Sequence, residues 1–148
     1  MGYTIFPDKI MPNTDKMLDY LKTKNIRSGV ISNLSFSSCN LTERINSLLP
    51  DNDFEFIITS SDYVYRKPTK MIFDLALRKA ELSTDEVWFC GDNTKSDIYG
   101  AAEAGIFPVW YHSDIECTYR DKALDTRPEC SHLYIRDWLG LIEVLEKD

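Results

Sequence analysis

The sequence predicts a three-layer α/β domain, a mainly parallel sheet with helices on both faces. Two observations lead there. Short β-rich apolar runs alternate with longer amphipathic stretches along almost the whole chain. The connections between them are short, as expected of right-handed strand–helix–strand crossovers. At 148 residues the chain is expected to form a single domain over its full length. In such sheets ligands bind beyond the carboxyl ends of the strands, so the polar residues that end each strand deserve the closest reading.

The first amphipathic stretch, capped by Asn13 or Thr14, places Met17, Leu18 and Leu21 on one helical face and ends near Asn25. A buried strand at residues 28–31 stops at Ser32-Asn33. The spacing of Leu41, Ile45, Leu48 and Leu49 predicts a helix over 38–49, broken by Pro50-Asp51-Asn52-Asp53 before a strand at 54–58. After a polar loop, Lys67-Pro68 opens a helix running to Glu81, with Pro68 in its first turn. The Ser83-Thr84-Asp85-Glu86 run has capping-box spacing, but it leads directly into a strand at 87–90 and reads as a turn. That strand ends in Gly91-Asp92. A helix over 96–104 presents Ile98, Ala101 and Ala102, small enough for close packing on a sheet, and Gly105 closes it. A strand at 106–111, an irregular connection at 112–131, a strand at 133–135 and a helix with Trp138, Leu139, Ile142 and Leu145 on one face complete the order.

Composition excludes several classes of function. A net charge of −7 with no basic stripe argues against a nucleic-acid partner. No apolar run approaches the roughly 20 residues of a membrane span, and the N-terminus does not read as a signal peptide. Cys39, Cys90, Cys117 and Cys130 share no C-x-x-C spacing, so they are expected to be reduced thiols of a cytoplasmic protein, two or more of them buried. His112 and His132, at the edges of the 112–131 connection, read as surface residues. Core packing or plain exposure is likewise the reading for Tyr63, Tyr65 and Tyr111.

Three places carry chemistry: Ser32-Asn33, Lys67-Pro68, and Gly91-Asp92 followed by Asp97. A hydroxyl beside backbone N–H groups can bind phosphate oxygens, a lysine can neutralise phosphate and carboxylate, and loop carboxylates can hold Mg²⁺. Each signal also has a plain alternative: a strand-ending turn at Ser32-Asn33, a helix entry at Lys67-Pro68, and turn or dipole chemistry at Asp92 and Asp97. Their order and shared placement at strand ends make them a set.

The set resembles the haloacid dehalogenase (HAD) superfamily, whose core is Rossmann-like. Gly29-Val30-Ile31-Ser32-Asn33 is similar to that family's second motif. Arg66-Lys67-Pro68 with Ile72-Phe73 is similar to the third. Val87 to Asp97, continuing through Gly100-Ala101-Ala102 to Gly105, resembles the fourth and most specific. The likeness runs from about Pro12 to Glu146. It implies a Mg²⁺-dependent phosphohydrolase acting on a small phosphorylated metabolite through an aspartyl-phosphate. By motif, Ser32 and Asn33 would bind the phosphate, Lys67 would bridge phosphate and nucleophile, and Asp92 would ligate Mg²⁺. Asp97 would be a second metal-shell or lysine-orienting carboxylate.

One motif of that family is not found. No Asp-x-Asp lies upstream of Ser32, and the family's small helical cap is also missing from the sequence. Three readings stay open: a truncated chain, residues 3–6 replacing the central strand, or a strand supplied by another copy in a homodimer. With residues 3–6 as that strand, Asp8 lies near the nucleophile's place, although position 10 is Ile and position 12 is Pro. The alternative function is a non-catalytic phosphate- and metal-binding or regulatory module. A haloalkanoic-acid dehalogenase fits less well, because its fourth motif resembles Ser-Ser-Asn where this chain has Gly91-Asp92-Asn93.

Overall fold

The computed structural model describes residues 11–33, 37–63, 65–113 and 126–147. The proposed strand at 3–6, Asp8 and Cys117 lie outside the described residues. The chain divides into two compact units, one formed by residues 1–64 with 137–148 and the other by 65–136.

In the first unit, α1 (Thr14–Thr23) precedes β1 (Val30–Ser32), α2 (Ser38–Leu48) and β2 (Ile57–Thr59), and α5 (Trp138–Lys147) returns from the end of the chain. β1 and β2 pair in parallel, with Ser32 opposite Thr59. Pairing starts before the strands proper, since the Glu55 N–H donates to the Ser28 carbonyl at 2.8 Å. Ser37 caps α2 by accepting the Asn40 N–H at 3.4 Å. The expected inward residues of α2 (Leu41, Ile45, Leu48, Leu49) are half-buried, and none is fully enclosed.

Two expectations in this unit are corrected. Asn13 precedes α1 in a left-handed conformation (φ 66°) and makes no cap bond. Its amide instead donates to both carboxylate oxygens of Asp137, at 3.0 and 3.1 Å. In α5 the buried residue is Leu141, while Leu139 is 42% exposed. The inward stripe is therefore Trp138, Leu141, Ile142 and Leu145, with Leu141 taking the place expected for Leu139.

In the second unit, α3 (Lys70–Ala80) buries Ile72, Phe73, Ala76 and Ala80. A single 3₁₀ turn at Thr84–Glu86 leads to β3 (Trp88–Gly91), a π-helical turn at Thr94–Tyr99 continuing into α4 (Gly100–Glu103), β4 (Phe107–Tyr111) and β5 (Leu133–Ile135). The three strands are parallel in the order β3-β4-β5. α3 packs on this sheet through Phe73, whose ring meets Phe89 edge-on at 5.1 Å. Gly105 ends α4 at φ 83°, the left-handed geometry that glycine adopts without strain.

The start of α3 also differs from expectation. A turn closed by the Thr69 N–H to the Arg66 carbonyl (2.8 Å) precedes the helix, so Pro68 sits in that turn, after a cis Lys67-Pro68 bond. The cysteine expectation is corrected as well: Cys39 is exposed, and Cys90 and Cys130 are half-buried. The strands thus form the expected α/β architecture, divided between a two-stranded and a three-stranded parallel sheet. Among the described residues no inserted helical subdomain separates β1 from β3.

Candidate active site

The chain leaves β3 through Asp92 and Asn93 and turns at once. Asn93 builds the turn. Its side-chain oxygen accepts the Ser96 N–H at 2.9 Å, and its carbonyl accepts the N–H groups of Asp97 (2.9 Å) and Ile98 (3.2 Å). The second of these is a π-type bond. The widened first turn carries Asp97 back over Gly91, with no room for a Cβ at position 91. Such π turns concentrate at functional sites.

Asp97 then joins three groups. One oxygen accepts the backbone N–H groups of Asp92 (3.2 Å) and Asn93 (3.0 Å). The other takes the ammonium of Lys67. The pair is shielded, with 10% of the Lys67 and 6% of the Asp97 side chain exposed. The Lys67 ammonium also lies 5.3 Å from the centre of the Phe89 ring, within reach of cation–π attraction. Because a shielded charge left alone is costly, each partner holds the other in place. Of the two roles implied for Asp97, lysine orientation is the one this geometry displays.

Asp92 differs from its neighbour. It is exposed at the strand end, while Asp97 is buried beneath the loop. Among the described residues no three His, Cys, Asp or Glu side chains gather into a ready-made metal cage. Mg²⁺ does not need one, because it binds through one or two carboxylates and keeps several waters. The donor chemistry of Asp92 therefore fits that ion, with Lys67 as a second positive group in the same unit. Cys90, just before the loop, is poorly suited to act as a thiolate nucleophile. Desolvation pushes its thiol from 9.0 up to about 12, although the residue as a whole keeps some exposed surface.

Ser32 and Asn33 belong to the first unit. Ser32 ends β1, and its carbonyl accepts the Ser60 N–H at 3.0 Å. Asn33 follows it, half-buried. Beside them the fully buried Thr59 hydroxyl lies 3.1 Å from that of Ser61.

The sequence reading missed the far side of the second-unit site. Thr94 is buried, and its hydroxyl donates to the Thr126 carbonyl at 2.8 Å. The Tyr99 hydroxyl accepts the Glu129 N–H at 2.9 Å. These bonds fasten the described end of the β4–β5 connection to the helix that follows the acidic loop. At the end of β4, His112 stacks on Trp110 (4.7 Å, 24°) and His132 meets the same indole edge-on at 5.8 Å. Trp110 is 3% exposed, and its ring N–H has no acceptor among the described residues. The signal was present: alternation along 107–112 puts Trp110 and His112 on one face of the sheet.

The fold, the π turn and the Lys67–Asp97–loop junction define a class, and comparison with known proteins gives the same one. The family model for haloacid dehalogenase-like hydrolases matches residues 7–111, and the chain belongs to that family. Glyceraldehyde 3-phosphate phosphatase of Pyrococcus furiosus is 28% identical over 142 residues, covering 93% of this chain and 55% of that protein. The Methanothermobacter thermautotrophicus protein of the same name is 32% identical over 110 residues, covering 74% of this chain and 48% of its own. The chain thus spans about half the length of these curated relatives. In fold it is similar to a HAD-type protein of Bacillus subtilis solved with magnesium bound (TM-score 0.69, 20% identity, covering 94% of this chain and 56% of that one).

Proposed function

We propose that this chain is the core of a Mg²⁺-dependent phosphomonoester hydrolase acting on a small phosphorylated metabolite. The observation that carries the reading is the Asp97 carboxylate, which locks Lys67 to the backbone of the Asp92–Asn93 loop. A cation and an acidic loop in fixed relation suit phosphoryl transfer, where catalysis is chiefly positioning and charge neutralisation. Asp92 would hold Mg²⁺, which supplies charge neutralisation to a phosphate. Lys67 holds a further phosphate oxygen by its ammonium. Ser32 and Asn33, at the end of β1, are the candidate phosphate-binding residues, and Asp8 is the candidate nucleophile. The relatives named as phosphatases of a three-carbon phosphate support the substrate class.

The test is hydrolysis of p-nitrophenyl phosphate with and without Mg²⁺, for the natural chain and for Asp92→Asn. Turnover that needs the cation and is lost in the variant supports the proposal. Mg²⁺-dependent phosphate binding without turnover would select the alternative, a non-catalytic module that binds phosphate and metal.

A further inference from the structure

We infer that Thr94 is a positioning residue for the cation: its hydroxyl, bonded to the far end of the β4–β5 connection, sets the place of Asp92 and with it the affinity for Mg²⁺. This rests on the reading of Asp92 as the Mg²⁺ ligand and adds the group that holds that ligand still.

The acidic loop is shaped from within. Asp97 accepts the Asp92 and Asn93 N–H groups at 3.2 and 3.0 Å, and the Asn93 side chain accepts the Ser96 N–H at 2.9 Å. These bonds all lie inside the turn, so they fix its form and not where it stands. Lys67 gives the turn one outside anchor, through Asp97. A turn held at one point can still pivot about it. Thr94 supplies a second anchor, two positions after Asp92. Its side chain is buried, and its hydroxyl donates at 2.8 Å to the Thr126 carbonyl, 32 positions away.

The far end of that anchor is stiff. Thr94 and Tyr99 stand five positions apart in the π-helical turn, the spacing of a π-type bond. Both reach the same short stretch, since the Tyr99 hydroxyl accepts the Glu129 N–H at 2.9 Å. Between the two bonded groups Pro128 is buried, while Thr126, Arg127 and Glu129 are exposed. Its ring fixes φ, so a stretch pinned at both ends has little freedom left. Of the two bonds, the one at Thr94 adjoins Asp92 and Asn93, whereas the one at Tyr99 lies a turn further on. Groups that orient a metal ligand typically change affinity about 10–100-fold when removed. Thr94 acts through the backbone, which points to the lower end.

The experiment follows the amide NMR signals of Asp92 and Asn93 as Mg²⁺ is added in the presence of inorganic phosphate. Thr94→Val, which keeps the shape and loses the hydroxyl, is expected to weaken Mg²⁺ binding about tenfold, and Thr94→Ser to restore most of it. Tyr99→Phe removes the companion bond to the same stretch. It should lower the urea midpoint about as much as Thr94→Val while leaving Mg²⁺ affinity within about twofold, which separates positioning from plain stability. In hydrolysis of p-nitrophenyl phosphate, Thr94→Val should need about tenfold more Mg²⁺ for half its maximal rate and keep kcat within about threefold at saturation. Unchanged affinity in Thr94→Val, an equal loss in Tyr99→Phe, or no recovery in Thr94→Ser overturns the inference while Asp92 keeps its role. No amide shift in the natural chain overturns the Mg²⁺ reading of Asp92 and the inference together. Should Thr94→Val not fold, the natural chain decides. The Arg127 amide shares its peptide with the Thr126 carbonyl, so it should move at the same half-saturating Mg²⁺ as Asp92 and Asn93. An Arg127 signal that stays still overturns the inference. The amide signals need no turnover, so they decide equally in a chain that only binds.

Discussion

Gly91 lies directly against the carboxyl group of Asp97, and a methyl group at position 91 would overlap it. Neither side can yield easily, because Asp97 is tied to Lys67 and to two loop amides. Gly91→Ala is therefore expected to cost about 1–3 kcal/mol, the usual range for overpacking. It should also weaken Mg²⁺-dependent activity by moving Asp92. Urea denaturation and a Mg²⁺ titration of activity check the two effects separately. Unchanged stability would show that the contact is slack.

Lys67 and Asp97 should behave as one unit. Removing either alone, by Lys67→Met or Asp97→Ala, leaves a shielded charge without its partner and is expected to cost about 3–5 kcal/mol. The double change should cost clearly less than the sum of the two, which a double-mutant cycle measures directly. Activity should follow a different pattern, with every variant lacking Lys67 losing at least about 100-fold in kcat.

Cys90 gives the chain an alkaline weakness. The folded state keeps the thiol proton up to about pH 12, whereas the unfolded state loses it near the ordinary 9.0. Between those values the unfolded chain binds fewer protons. The contribution is complete below the lower value and declines as pH rises, by up to about 1.4 kcal/mol per pH unit. Urea midpoints of the natural chain should fall between about pH 8 and about pH 10 more steeply than those of Cys90→Ala. In the folded chain, the exposed Cys39 should react with a thiol reagent well before Cys90 does.

Asp137 links two distant parts of the sequence. Its carboxylate accepts the Asn13 amide and, through the same Oδ1, the Leu139 N–H at 2.8 Å near the start of α5. Asp137→Ala is expected to cost about 1–2 kcal/mol by removing both interactions, measured by thermal or urea unfolding. Asp137→Asn, which keeps an acceptor, should recover the contact to Leu139 and part of the stability.

Much of this architecture was legible because apolar runs and helical stripes follow directly from burial. The strand at 133–135 and the αL glycine at 105 fall where pattern and turn chemistry place them. What failed depended on long-range contacts. Asn13 reads locally as a cap, yet its partner is 124 positions away. The Leu139 and Leu141 sites differ by two helical positions, and only the packed neighbours decide which turns inward. The helix after Asp92 begins earlier than expected because Asn93, not a later residue, caps it. The motif resemblance named the candidate residues and offered lysine orientation as one role of Asp97. That the same carboxylate would also accept two loop amides was not legible, since spacing fixes proximity but not hydrogen bonds.

The bond from the Thr94 hydroxyl to the Thr126 carbonyl ties the described end of the β4–β5 connection to the turn that follows Asp92. Insertions or graftings between β4 and β5 would ordinarily be harmless ornament. Here they would tug on the very turn that presents Asp92, so an engineer wishing to retune this protein without touching a charged residue has a handle at some distance from the chemistry.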